Sequence, residues 1–175
     1  MAVTVFVGTS VDGFLARLNG SFDFLLVGEG LPHGFEEFMA TVDALVMGRN
    51  TFEVVAPKDP WPYGPTKRVV VLSSRPLDLS GVKAPVEQMS GEPAEIITKL
   101  AATGAHHLYV DGGITIQRFL RAGLVDRIVV TRVPVLIGEG IPLFGSVPHD
   151  VHLLHIATRE YGAGMVQSEY EVVKN

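Results

Sequence analysis

The sequence predicts an α/β domain in three layers: a mostly parallel central sheet, helices on both faces, and a C-terminal antiparallel hairpin. Three observations carry this. Short Val-rich apolar runs alternate four times with segments of helical period. Those runs are apolar at consecutive positions, as in strands buried on both faces. Two final runs flank Gly162-Ala163-Gly164, the signal of a closing hairpin.

Residues 2–8 read as a buried strand, followed by turn chemistry at Ser10-Val11-Asp12-Gly13. Phe14, Ala16 and Leu18 then alternate up to an Asn19-Gly20 turn, and residues 22–27 are expected to return as a short strand. Phe35, Phe38, Met39 and Val42 stand at helical spacing, so 32–42 is expected to be an amphipathic helix opened by Pro32. A strand over 44–47 leads into Gly48-Arg49-Asn50-Thr51 and a short helix over 51–55. Four prolines, Trp61 and Tyr63 make 56–66 an ordered aromatic loop. A strand over 67–72 closes at Ser73-Ser74-Arg75-Pro76, and one short strand is expected within 77–90.

Ile96, Ile97, Leu100 and Ala101 share one face of a helix over 93–103, with Gly104 as its C-terminal stop. The strand 106–110 enters Asp111-Gly112-Gly113, and a helix over 114–121 turns Ile116, Phe119 and Leu120 inward. Residues 126–137 read as one long Val/Ile strand, with Pro134 marking a bulge or an edge. The closing hairpin spans 151–161 and 165–173.

The 175 residues suit a single domain over 1–175, with no repeat or linker. A 47% hydrophobic, 19% charged chain can bury a core, which excludes global disorder. The net charge of −5 argues against a general nucleic-acid binder. The absence of cysteine excludes disulfides, thiolate metal sites and cysteine nucleophiles. It suits a reducing compartment, so a cytoplasmic location is expected. No apolar run approaches the ~18 residues of a membrane span, and no basic leader precedes the first strand. Asn19-Gly20-Ser21 matches a glycosylation sequon but reads better as a turn. His106 and His107 point to opposite faces of a strand, and the spacing of His149, His152 and His155 does not suit one, so no metal site is expected.

Three strand ends share one pattern: Met47-Gly48-Arg49-Asn50-Thr51, Leu72-Ser73-Ser74-Arg75 and Asp111-Gly112-Gly113-Ile114-Thr115. In open α/β sheets ligands bind at the carboxyl ends of strands. Helix N-termini offer free amides to phosphate, and glycine lets the phosphate come close. Arginine and serine add the donors a phosphate monoester takes. Together the three ends suggest a phosphorylated nucleotide, although the G-x-G-x-x-G fingerprint is absent.

Met47-Gly48-Arg49-Asn50-Thr51-Phe52-Glu53 resembles the M-G-R-x-T-x-E segment of dihydrofolate reductases. Ser10-Val11-Asp12-Gly13-Phe14-Leu15-Ala16 resembles the S-x-D-G-x-I-A segment of the riboflavin-biosynthesis reductase domain. So do Asp111-Gly112-Gly113 with Gln117, Phe119 and Leu120, then Gly123-Leu124-Val125-Asp126. The stretch from Pro134 to Gly140, followed by Leu143-Phe144, is similar to that domain's closing motif. The resemblance covers roughly residues 3–172 and identifies a stand-alone dihydrofolate reductase-like protein of the riboflavin-reductase type.

The resemblance implies an NADPH-dependent reductase acting on a small pyrimidine- or pterin-like heterocycle. Gly48, Arg49 and Thr51 would hold cofactor phosphates, and Leu72, Ser73, Ser74 and Arg75 would surround the 2′-phosphate. Asp111, Gly112, Gly113, Ile114 and Thr115 would receive the pyrophosphate, and Val7 would border the nicotinamide. Thr9 and Phe14 would lie near the substrate. Asp12 is either a proton source or a turn cap, and Glu139 is either catalytic or a solvated loop residue. Trp61 either walls the substrate pocket or packs its loop. The pterin-binding carboxylate of dihydrofolate reductases has no ungapped counterpart in Leu31-Pro32-His33-Gly34-Phe35-Glu36-Glu37. The zinc signature of the deaminase domain usually fused to the riboflavin-pathway enzyme cannot occur without cysteine. A nucleotide-binding module without turnover is the alternative. A homodimer is expected, because the 126–137 run has apolar side chains for both faces and few helices remain to cover that end.

Overall fold

The computed structural model describes residues 1–174. In chain order the elements are β1 (Ala2–Thr9), β2 (Phe14–Ala16), α1 (Phe35–Thr41), β3 (Ala44–Gly48) and α2 (Arg49–Val55). There follow β4 (Arg68–Leu72), β5 (Val86–Met89), α3 (Pro93–Ala102), β6 (His107–Asp111) and α4 (Gly113–Arg121). The chain closes with β7 (Arg127–Arg132), β8 (Ile141–Pro142), β9 (Leu153–Glu160) and β10 (Val166–Val172).

Eight strands form one sheet in the order β5-β4-β3-β6-β1-β7-β10-β9. All pairs from β5 to β7 are parallel, and β10 is antiparallel to both β7 and β9. The sheet is therefore mostly parallel with an antiparallel C-terminal hairpin, as the sequence predicts. Helices α3 and α4 cover one face, where Ile96, Leu100, Ile116 and Phe119 pack on Val3, Val5, Val46 and Val110. Helices α1 and α2 cover the other, where Phe35, Phe38, Phe52 and Val55 meet Phe6, Leu45, Met47 and Tyr109. Phe119 is fully buried, so truncating it to Ala costs about 3–5 kcal/mol. Helix α3 opens with Pro93 in its first turn and a reciprocal capping box between Glu92 and Glu95.

Two expected strands are corrected. Residues 22–27 do not return as a strand: Asp23–Gly28 is a 3-10 helix. Asp23 binds Arg17 at 2.6 Å and the Ser21 hydroxyl at 3.0 Å, and these local bonds fold the chain back on itself. The β2 strand pairs instead with β8. The long strand expected over 126–137 ends at Arg132. Val133 still donates to the Thr9 carbonyl, but Pro134 has no amide and Val135 donates back to Val133 at 2.8 Å. The chain then leaves the sheet and returns as β8. The first helix starts at Phe35, later than expected, after Gly34 in a left-handed conformation.

The hairpin is less covered than the rest. Leu153, Leu154 and Ile156 of β9 are exposed. One buried charge ties this end together: Glu169 on β10 accepts from Arg127 of β7 and Arg159 of β9.

Candidate active site

Parallel pairing fixes the site. Gly48 is level with Leu72, and Met47 with Asp111, so β4, β3 and β6 end at one edge of the sheet. The three turns singled out in the sequence are therefore neighbours, at the edge where α/β sheets bind ligands.

The turns after β3 and β4 face a cleft of about 440 Å³ lined by Arg49, Ser73, Ser74, Arg75 and Arg118. Arg49 reaches from α2 across to the second turn, 3.5 Å from both the Ser73 hydroxyl and the Pro76 carbonyl, while Glu53 holds its Nε at 2.7 Å. The Ser73 hydroxyl donates to the Arg75 carbonyl at 2.6 Å and accepts from its amide, which sets the turn. Gln88 on β5 latches the same turn, donating to the Ser73 and Arg75 carbonyls at 2.9 Å each. Gln88 and Arg118 were not identified in the sequence. Arg118 lies in α4, where it reads as an ordinary basic residue near a helix C-terminus.

The turn after β6 opens on a larger cavity of about 1080 Å³. Gly112 has a φ of 91°, and a Cβ there would collide with the Thr51 hydroxyl. A Cβ on Gly48 would sit 2.8 Å from the Thr115 hydroxyl. Backbone thus meets side chain closely where α2 and α4 begin, and both helix starts border the cavity through Asn50, Thr51, Gly112 and Gly113. The first-turn amides of α4 have no partner within the helix. Gly113 serves differently: a side chain there would press on Ile141 and the Pro142 carbonyl, both 3.1 Å away.

Asp111 lies on the cavity floor. Its Oδ1 accepts the Gly112 amide at 2.8 Å, and the Tyr63 hydroxyl stands 3.4 Å from Oδ2. Burial raises the carboxyl's pKa, against the opposing effect of those hydrogen bonds. The residue keeps some surface in the cavity while protein surrounds its charged end. Burial also raises the hydroxyls of Tyr63 and Tyr109 well above the ordinary tyrosine value, and Tyr109 donates to the Phe6 carbonyl at 2.9 Å.

The other expected residues divide. Val7, Gly112, Gly113, Thr51 and Asp111 line the large cavity; Arg49, Leu72, Ser73, Ser74 and Arg75 line the smaller one. Thr115 is buried beside Gly48, and the Ile114 side chain is exposed. Asp12 and Glu139 do not line either cavity. The Asp12 carboxylate accepts the Ile137 and Gly138 amides at 3.3 and 2.8 Å, which makes it a cap for that loop. A hydrogen bond to Ser10 contributes most to lowering its pKa. Phe14 pairs with Pro142 beside the site, Thr9 is buried at the end of β1, and Trp61 packs on Phe52. Their neighbours Leu15 and Tyr63 reach the cavity in place of Phe14 and Trp61. Among the described residues no group of three or more His, Asp or Glu is gathered as a metal site. No helix among them is long and apolar enough to cross a membrane.

A mostly parallel central sheet with three Gly- and Ser-bearing turns gathered at the carboxyl edge of its strands, and a cavity beside them, defines an open α/β fold with its candidate site at that edge. The family model of the RibD C-terminal domain matches residues 1–167, and the chain belongs to that family. A Shewanella sp. PV-4 structure, provisionally assigned to riboflavin biosynthesis, is 38% identical with a TM-score of 0.89, covering 99% of this chain and all of that one. The Thermotoga maritima deaminase and 5-amino-6-(5-phosphoribosylamino)uracil reductase is 15% identical with a TM-score of 0.77, over 98% of this chain and 56% of that one. Dihydrofolate reductase from Enterococcus faecalis, complexed with NADP(H), is 18% identical with a TM-score of 0.67, over 99% and 97%. These last two show the same fold.

Proposed function

We propose that the protein is an NADPH-dependent reductase of a small heterocyclic substrate. The observation that carries this reading is the register of β4, β3 and β6, which gathers three phosphate-type turns at one sheet edge. The residues fit the cofactor in two respects. The glycine at position 112 leaves backbone open where any side chain would collide with Thr51, and the smaller cleft groups three arginines and three serines. Arg49, Ser73, Ser74 and Arg75 would hold the 2′-phosphate, with Arg118 beside them. Thr51, Gly112 and the first-turn amides of α4 would hold the pyrophosphate, and Val7 would border the nicotinamide. When bound, NADPH supplies the hydride.

The protein's own task is then to exclude water and deliver a proton. Asp111 suits that role better than Asp12 or Glu139. It borders the cavity, and burial makes its carboxyl hold a proton to higher pH than a free one. Tyr63 and the Gly112 amide orient its two oxygens.

Binding without turnover is the second reading, favoured by Asp12 and Glu139 standing outside the cavity. Oxidation of NADPH, followed at its absorbance band with a panel of folates, pyrimidines and quinones, separates the two. Turnover with any panel member that Asp111→Asn abolishes supports the reductase. Tight NADPH binding without turnover on any of them supports the module.

A further inference from the structure

The large cavity has two kinds of wall. At the Gly112 end it carries the polar groups assigned above to the cofactor. The rest of its wall is largely apolar and aromatic, with Phe22, Leu25, Phe35 and Val54. The charges here are unequal. Glu29, Glu36, Glu53 and Asp111 line the cavity, against a single ammonium, Lys58, and the imidazole of His33. Glu53 is paired with Arg49, but Glu29 and Glu36 have no ion-pair partner among the described residues. The Lys58 ammonium lies 4.4 Å from the centroid of the Phe22 ring, a cation–π contact that already engages it. Arg17, in the segment beside this wall, is held by both oxygens of Asp23 at 2.6 and 3.1 Å.

The smaller cleft is the opposite. Arg49, Arg75 and Arg118 surround a single carboxylate, Glu92. A phosphate monoester is a dianion that needs such donors. Placed against the aromatic wall it would lose water, meet one engaged ammonium and face unpaired carboxylates.

We propose that the substrate of the large cavity is an uncharged, planar conjugated ring that carries no phosphate or carboxylate. This rests on the reductase reading for the identity of the reaction and on the lining charges for the class of ligand. It separates the chain from the phosphoribosyl compound named for the Thermotoga maritima reductase.

The test is calorimetric titration with two matched pairs of probes: riboflavin against flavin mononucleotide, and uridine against uridine 5′-monophosphate. Each is run on the native chain and on Arg75→Ala, in which the smaller cleft is weakened, so that phosphate captured there is recognised. The unphosphorylated member is expected to bind about tenfold tighter or more, the size of one charge interaction near a surface. The rim double variant Glu29→Lys/Glu36→Lys is expected to close most of that gap. Equal or tighter large-cavity binding of the phosphorylated member overturns the proposal, and so does failure of both members of both pairs to bind. A parallel NADPH titration keeps the readings apart. NADPH binding with the reversed probe preference overturns the substrate class alone. The expected preference without NADPH binding overturns the reductase reading alone.

Discussion

The parallel part of the sheet is built largely from Val-rich apolar strands and its C-terminal hairpin from mixed apolar and polar ones, and the two end in different states. From β5 to β7 each parallel connection must cross back over the sheet, and helices make several of those crossings. The same crossings cover both faces and point every strand end toward one edge. The hairpin needs only the short 3-10 turn at Gly162–Gly164, so it brings no covering α-helix with it. It leaves Leu153, Leu154 and Ile156 exposed on the outermost strand. Topology alone therefore gathers the three turns at the carboxyl edge of the parallel strands and leaves bare apolar surface on the hairpin. Cofactor binding and turnover should depend on the parallel part, and self-association on the hairpin.

The sharpest break of this division is Asp111→Asn. If Asp111 supplies the proton, kcat falls by roughly 10²–10⁴, while NADPH affinity measured by calorimetry changes little. A comparable loss of affinity instead would return Asp111 to a cofactor-holding role. Next is Gly112→Val, which forces a β-branched residue to a φ of 91° and against Thr51. NADPH binding should fall below detection while the far-ultraviolet circular dichroism keeps its α/β shape. Gly113→Val tests a different contact, because its side chain would strike β8; loss of thermal stability is expected there.

Smaller effects come from single arginines. Arg75→Ala removes a charged hydrogen bond worth roughly 1.5–3 kcal/mol, seen as a weaker Kd for NADPH with NADH unaffected. On the hairpin, Ile156→Lys should leave the NADPH Kd unchanged. Light scattering after gel filtration should read twice 18.9 kDa for the native chain and 18.9 kDa for this variant. A native mass of 18.9 kDa across dilution removes the dimer. The smallest effect is on pH. A carboxyl whose folded pKa is raised contributes no penalty below its unfolded value, near 3.9. It destabilises the fold progressively as pH rises from there through the folded value. Denaturant midpoints should therefore fall less steeply with pH above 4 in Asp111→Asn than in the native chain.

Much of this molecule is legible in the sequence because its parallel strands are locally encoded. Buried runs such as residues 44–47 and 106–110 show themselves by apolar side chains at successive positions, and each phosphate-type turn follows directly in the chain. What is missed depends on partners far away. The 3-10 helix after residue 22 looks like a strand until Asp23 is seen to bind Arg17 and Ser21. The break after Arg132 shows only as a proline inside an apolar run. Arg118 joins the smaller cleft from α4, and Gln88 on β5 latches the Ser73–Arg75 turn that borders it. Asp12 carries the more conspicuous local motif, yet folding directs its carboxylate to the loop amides of residues 137 and 138. Asp111 becomes chemically unusual only when folding buries it, with Tyr63 brought onto it from 48 positions away in the chain.

The most direct test of the central claim is paired calorimetry of NADPH and NADH on the native chain. The arginine cleft predicts at least about tenfold tighter binding of NADPH, since one charged hydrogen bond is worth roughly 1.5–3 kcal/mol. Arg75→Ala should erase most of that preference. Equal affinities for the two cofactors would contradict the assignment of Arg49, Ser73, Ser74 and Arg75 to the 2′-phosphate.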